Sequence, residues 1–256
     1  MTAGYSEFEF DLPEALLARL VVAFDSMTAA PLVSPFVDHI PEEQGVYQLF
    51  LQGSSSPELV YIGKTDAGAG LGVRLKRHAG KIQHRLNLDP QRVLFKAVRI
   101  YVFTAVDLET QLIGHYGGKV RWNGSGFGSN DPGEKRDTTY YKADHFDTQY
   151  PIDIRQPLGF AIPSNSSAAD VLRLLKKSLP YLIRYERASK GRAAHADLES
   201  TQVTIKTPIP QTPESVIVDV VRSLPVGWHA TLLPSHIIIY KNDTRKFPSG
   251  KQIVTS

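Results

Sequence analysis

The stretch GVYQLFLQGSSSPELVYIGK, residues 45–64, decides the fold. Two apolar runs, 46–51 and 59–62, flank a Gly/Ser/Pro loop at 53–57. β-Branched and aromatic residues on both sides of a turn-rich gap are the pattern of a β-hairpin. Each arm carries one tyrosine, Tyr47 and Tyr61. Tyrosine is a good strand former, so the pair alone is compatible with a purely structural hairpin. The residues downstream of the hairpin have to distinguish a structural pair from a chemical one.

The 256 residues are enough for one large domain or two small ones. A hydrophobic fraction of 42% supports a core. The formal charge of +3 permits a nucleic-acid partner without demanding one. There is no cysteine, which removes disulfides and thiolate metal sites and fits a reducing cytoplasm. No nucleophile elbow Gly-x-Ser-x-Gly and no phosphate-binding loop is present. No apolar run reaches the ~18 residues of a spanning helix, and the acidic start of the chain lacks a signal peptide's basic region. The expectation is a soluble, non-exported protein with no membrane partner.

After Gly63-Lys64 comes a glycine-containing loop at 65–70, then a helix over 71–85. Leu71, Leu75, His78 and Ile82 share one helical face, and Arg74 neighbours His78 at i, i+4. A histidine on an apolar stripe is ordinary. An arginine beside it is less so, because guanidinium groups are rarely buried without an anion, and a phosphate is one. The alternating segment 92–103 reads as a third strand and 105–116 as a second helix. Glu109 falls on that helix's apolar stripe of Ala105, Leu108, Leu112, Ile113 and Tyr116. A carboxylate facing a core is costly unless a cation compensates it. The compensation is either a salt bridge to Arg74 or Lys64, or a single-carboxylate Mg²⁺ site completed by water and phosphate oxygens.

The motifs Gly45-Val46-Tyr47 and Tyr61-Ile62-Gly63, then Arg74 and His78 on one helix, Glu109 on the next and Asn123 beyond it, together resemble the GIY-YIG nuclease superfamily. His78 at a position where relatives carry Tyr or His looks like the restriction-endonuclease branch. Asn123 lies somewhat further from the glutamate than in the shortest relatives. The resemblance covers roughly residues 40–130. It implies an α+β fold whose core is a small, mostly antiparallel sheet flanked by helices, with an N-terminal helical arm and a C-terminal α+β extension. It implies a sequence-specific double-stranded DNA endonuclease, a type II restriction enzyme of the bacterial cytoplasm, using one Mg²⁺ (or Mn²⁺) per site. The catalytic set is then Tyr47, Tyr61, Arg74, His78, Glu109 and Asn123, with Glu109 the metal ligand and no organic cofactor. Tyr47 is the expected base, its phenolate favoured by Lys64 or Arg74, and Tyr61 a phosphate or water contact. Lys64, Arg77, Lys135 and Arg136 are the expected DNA contacts. A short palindromic site would require a homodimer on DNA. A structure-selective repair or homing nuclease, and a non-catalytic DNA-binding protein on the same fold, are the rivals.

The rest of the chain is read around this core. Residues 1–44 form an arm, with a short strand at 7–12 and a helix to Phe24 that starts near Asp11 and carries Leu16, Leu17, Leu20 and Val21 on one stripe. Residues 45–156 hold the core and a glycine-rich insert from 117. The insert is a flexible loop or a DNA-reading loop, with a short strand at 138–142; His145, Asp147 and Asp153 fit no tight ligand spacing. Residues 157–256 read as strands at 158–162, 181–185 and 202–207, helices at 168–179 and 214–224, and a hairpin at 229–240: a small α+β layer for recognition or scaffolding. Lys176, Lys177, Arg184, Arg187, Lys190 and Arg192 make a basic cluster, either a solvated face or a set of phosphate contacts.

Overall fold

A computed structural model describes residues 4, 11–65, 68–101, 107–129, 133–163, 165–189, 191, 193–206 and 210–256. The chain forms two units: Met1–Ala79 with Asp89–Gly124, and Gly80–Leu88 with Ser125–Ser256. The expected divisions at 44 and 156 are therefore not where the contacts divide. Each unit is α+β.

In the first unit, α1 (Leu12–Ser26) begins where the Asp11 carboxylate accepts the Glu14 N–H at 2.9 Å, with Pro13 in the first turn. There follow β1 (Ala30–Pro31), β2 (Gly45–Gln52), β3 (Pro57–Lys64), α2 (Leu71–Lys81), β4 (Val93–Arg99) and α3 (Leu108–His115), the last two residues of α2 counting with the second unit. The sheet order is β1-β4-β2-β3, antiparallel throughout. The expected hairpin is present and longer at both ends. Val46 and Ile62 face one side, in a cluster with Leu20 and Phe24 of α1 and Leu108 and Leu112 of α3. Tyr47, Leu49 and Tyr61 alternate to the other side, where α2 packs. Covering both faces explains why residues 45–49 are all buried. The N-terminal helix is thus part of the core and no separate arm; each fully buried Leu or Phe contributes about 1.5–3 kcal/mol.

In the first unit, α2 and β4 differ from the expected elements at their ends. α2 stops at Lys81 rather than 85, and β4 at Arg99 rather than 103, with 102 and 103 outside the described residues. Of the expected strand at 7–12, residues 7–10 lie outside the described residues and Leu12 is helical. The register of β2 with β3 shifts between Leu49, opposite Tyr61, and Phe50, opposite Leu59, so Val60 is an extra residue. Such a bulge re-aims the neighbouring side chains.

The second unit comprises α4 (Phe146–Gln149), β5 (Ser166–Ser167), α5 (Ala168–Ser178), β6 (Leu182–Tyr185), α6 (Ala196–Ser200), β7 (Gln202–Val203), α7 (Pro213–Ser223), β8 (Trp228–Leu232), β9 (His236–Lys241) and β10 (Lys251–Thr255). Its main sheet runs β10-β8-β9-β6, with β6 parallel to β9. Val171, Leu172 and Leu175 of α5 and Val216, Ile217, Val220 and Val221 of α7 bury against Ile183, Ile237 and Ile239. The alternate residues of those strands, Arg184, His236 and Tyr240, face the other side. There the wholly buried Asp137 accepts from His236 Nε2 at 2.8 Å and from the Tyr240 hydroxyl at 2.9 Å, and pairs with Arg184. This fastens the segment around 137 to the sheet and explains why residues 125–156 belong to this unit. The expected strand at 158–162 is irregular chain, with Leu158, Phe160 and Ile162 packed half-buried on the core. Nor is 138–142 a strand; β7 has two residues, and Thr207 lies outside the described residues. Among the described residues, no helix is long and apolar enough to cross a membrane.

Candidate active site

The antiparallel register sets Tyr47 opposite Gly63 and Leu49 opposite Tyr61, so both tyrosines lie on one face of the hairpin. His78 reaches the same spot from α2. The three rings form a triangle, with centroids 6.0 Å apart for Tyr47 and Tyr61, 5.5 Å for Tyr47 and His78, and 5.4 Å for Tyr61 and His78. The Tyr47 hydroxyl is 2.8 Å from His78 Nε2. All three side chains are buried.

The motif glycines have a packing role that the sequence pattern does not reveal. A Cβ at residue 45 would lie 2.3 Å from the Val98 carbonyl oxygen, and the space above Gly63 is filled by the Tyr47 ring. Thr65, also buried, closes the hairpin's end: its hydroxyl accepts the Gly45 N–H at 2.8 Å and its own N–H reaches the Gly45 carbonyl at 2.9 Å. No sequence signal singles out this threonine.

Arg74 is half-buried, and its guanidinium lies close enough to both phenols to favour their ionisation. Its Nε is buried and without a hydrogen-bond partner among the described residues. A buried cationic donor in that position is suited to an anionic oxygen. Exposed Arg77 also acts on Tyr61. Glu109 sits half-buried at the margin of the α3 core stripe, and its negative charge opposes ionisation of Tyr61. Five of the six expected catalytic residues therefore act on one another through contact or charge.

Burial pushes the Tyr47 phenol far above its ordinary range, and Tyr61 adds to this; Arg74 opposes them without prevailing. Burial likewise raises Tyr61, followed by Glu109, again against Arg74. The expectation that a neighbouring cation makes Tyr47 a phenolate is not met, because desolvation outweighs the guanidinium.

Asn123 does something other than line the site. Its Oδ1 accepts the Ile62 N–H at 2.9 Å and its Nδ2 donates to the Ile62 carbonyl at 2.8 Å. It is a clip on β3 between Tyr61 and Gly63. Lys64 pairs with Asp107 at 3.0 Å on an exposed face. Asp107 also accepts from the Thr110 hydroxyl at 2.6 Å, tying the end of β3 to the start of α3, which carries Glu109. Sequence reasoning missed Asp107.

Lys135 and Arg136 belong to the second unit. Lys135 is exposed. Arg136 is engaged with the buried Asp147, the Tyr141 hydroxyl and the Ser235 hydroxyl, which occupies the guanidinium expected to read DNA. Asp147 is held also by Arg85 at 2.8 Å. It is thus an ion-pair centre rather than an ordinary polar residue. Among the described residues no group of three or more His, Asp or Glu side chains is disposed to hold a metal.

No protein-family model matches the chain, and no curated protein matches it.

Proposed function

We propose that the first unit is a nuclease centre of GIY-YIG type, in a sequence-specific endonuclease that hydrolyses double-stranded DNA with one divalent metal ion per site. The observation that carries this reading is the convergence of Tyr47, Tyr61 and His78 in one ring triangle, with Arg74 acting on both phenols and Glu109 on Tyr61. Two phenols, an imidazole, a guanidinium and one carboxylate are a poor set for stabilising a fold and a good one for phosphodiester chemistry.

The donor set fits Mg²⁺ or Mn²⁺. A single half-buried carboxylate, Glu109, supplies a hard oxygen, and such ions commonly take one or two protein carboxylates with water and phosphate oxygens. Bound there, the ion would polarise the phosphate and stabilise the leaving oxygen. The chain's own residues do the rest. Arg74, with its unpaired buried Nε, takes a phosphoryl oxygen as charge builds. Tyr47 need not become a phenolate in advance. Its proton can pass to His78 Nε2, 2.8 Å away, as its oxygen receives one from the attacking water. Tyr61, next to Arg74 and Arg77, orients water or phosphate. One such centre cuts one strand, so a palindromic site calls for two subunits.

The test is digestion of supercoiled plasmid with Mg²⁺ and with EDTA. Wild-type protein should give discrete fragments with Mg²⁺ alone. Glu109→Ala should abolish cutting while DNA binding survives, and Arg74→Ala should slow it by at least ~100-fold. Full activity of Glu109→Ala refutes the metal-ligand role. Binding without any cutting, under every divalent ion tried, would leave a non-catalytic DNA-binding protein; nicking confined to branched substrates would leave a repair nuclease.

A further inference from the structure

The second unit contains a cavity of about 590 Å³, a size typical of ligand sites. It lies at the β6 edge of the main sheet. Lys176 from α5, Arg184 from β6, Arg187 just beyond it and Arg245 line it together with Tyr185 and Tyr240. The carboxylates facing it are Glu134, 3.5 Å from Arg245, and Glu186.

The four cations are not equivalent. Arg184 is held by buried Asp137, and Arg245 by Asp243 at 2.6 Å. These pairs fix the rear wall. Lys176 and Arg187 are exposed, and among the described residues neither makes an ion pair. Lys176 instead places its ammonium 5.6 Å from the centre of the half-buried Tyr185 ring. The cavity therefore offers two cations with no ion-pair partner among the described residues, one of them set over an aromatic ring, with a guanidinium wall behind. An aromatic face with adjacent cations is the chemistry that receives a base or sugar next to its phosphate.

We propose that this cavity is a nucleotide-phosphate site, in which Lys176 and Arg187 hold the phosphate and Tyr185 carries the base or sugar. Two sources share that chemistry: a nucleotide within a DNA strand and a free mononucleotide. Only the first rests on the nuclease reading, and the second stands without it.

The experiment uses the full chain in EDTA, so that cutting plays no part. Binding of a labelled DNA duplex and of ATP is measured over a range of salt for wild type, for Lys176→Ala/Arg187→Ala, and for Lys177→Ala. The last removes an exposed charge beside the cavity but not lining it. The double variant should weaken one of the two ligands by at least ~10-fold, and if that ligand is the duplex should lower its log–log salt slope by about 2, since each phosphate contact contributes about 0.9. Lys177→Ala should stay within a factor of ~3, as an exposed charge away from the contact does. Loss for the duplex alone assigns the site to a strand; loss for ATP alone assigns it to a free nucleotide. If wild type binds neither ligand, or the double variant binds both as wild type does, the cavity is not a phosphate site. Loss of plasmid cutting by Glu109→Ala bears only on the first unit.

Discussion

The Tyr47 phenol lies across the backbone of Gly63, so close that a Cβ at residue 63 would come 2.4 Å from its oxygen. It would also come 2.8 Å from Tyr61 Cε1. One missing methyl group thus sets the position of both phenols. Gly63→Ala should move the ring pair off its contact with His78. Overpacking of this kind costs about 1–3 kcal/mol, and a displacement of about 1 Å in a reacting group costs ~100-fold in rate. Urea unfolding and plasmid cleavage measure the two separately. A variant that cuts at the wild-type rate would show that the phenols take no part.

Asn123 fastens Ile62 through both its backbone N–H and its carbonyl. Asn123→Ala orphans both groups, at about 1–3 kcal/mol for each one left buried and unpaired. The urea midpoint should fall accordingly. If Asn123 acts only as a clip, the rate of the remaining folded protein should drop less than for Arg74→Ala. An equal drop with unchanged stability would return it to the catalytic set.

Both phenols of the site are raised by burial. The native state therefore keeps them neutral above pH ~10, where tyrosines of the unfolded chain ionise. Their contribution to stability is complete below that pH and is lost as pH rises toward the higher native values. In a spectrophotometric titration, Tyr47→Phe should leave unchanged the tyrosinate signal that develops near pH ~10. Loss of one tyrosine's worth of signal there would mean that Tyr47 titrates freely.

Asp147 is pushed up by burial and down by Arg85, Lys81 and Arg136, with the net shift below the ordinary carboxylate range. Asp137 is likewise net lowered, burial being outweighed by His236, Tyr240 and Arg184. For carboxyls lowered in the native state, stability is present above the unfolded value of ~3.9 and is lost as pH falls through the native values. The urea midpoint should thus decline steeply below pH ~4. Asp147→Asn, which leaves two guanidiniums around a neutral group, should cost about 3–5 kcal/mol at pH 7 and flatten that decline. An unchanged midpoint at neutral pH would contradict the buried ion pairs.

The helices and hairpins were legible where burial imposes a period. The stripe of α7 and the buried Leu71, Leu75 and His78 of α2 lie as their spacing predicts. Short or irregular pieces were not. Leu158, Phe160 and Ile162 alternate like a strand, yet pack on the core without a strand partner, because alternation reports which side is buried and not whether a neighbour is available. β10 carries no such period, because only Val254 of its five residues is buried.

By itself the sequence determined the hairpin, the helix carrying Arg74 and His78, the helix carrying Glu109, and the candidate residues of the site, since those depend on local periodicity and residue chemistry. Tertiary structure alone decided that the tyrosines and His78 meet as a ring triangle, that burial overrides Arg74 on the ionisation of the two phenols, and that Arg136 is committed to Asp147. Each of these is fixed by partners distant along the chain, and the energy of a charge or a phenol depends on the dielectric that those partners create around it.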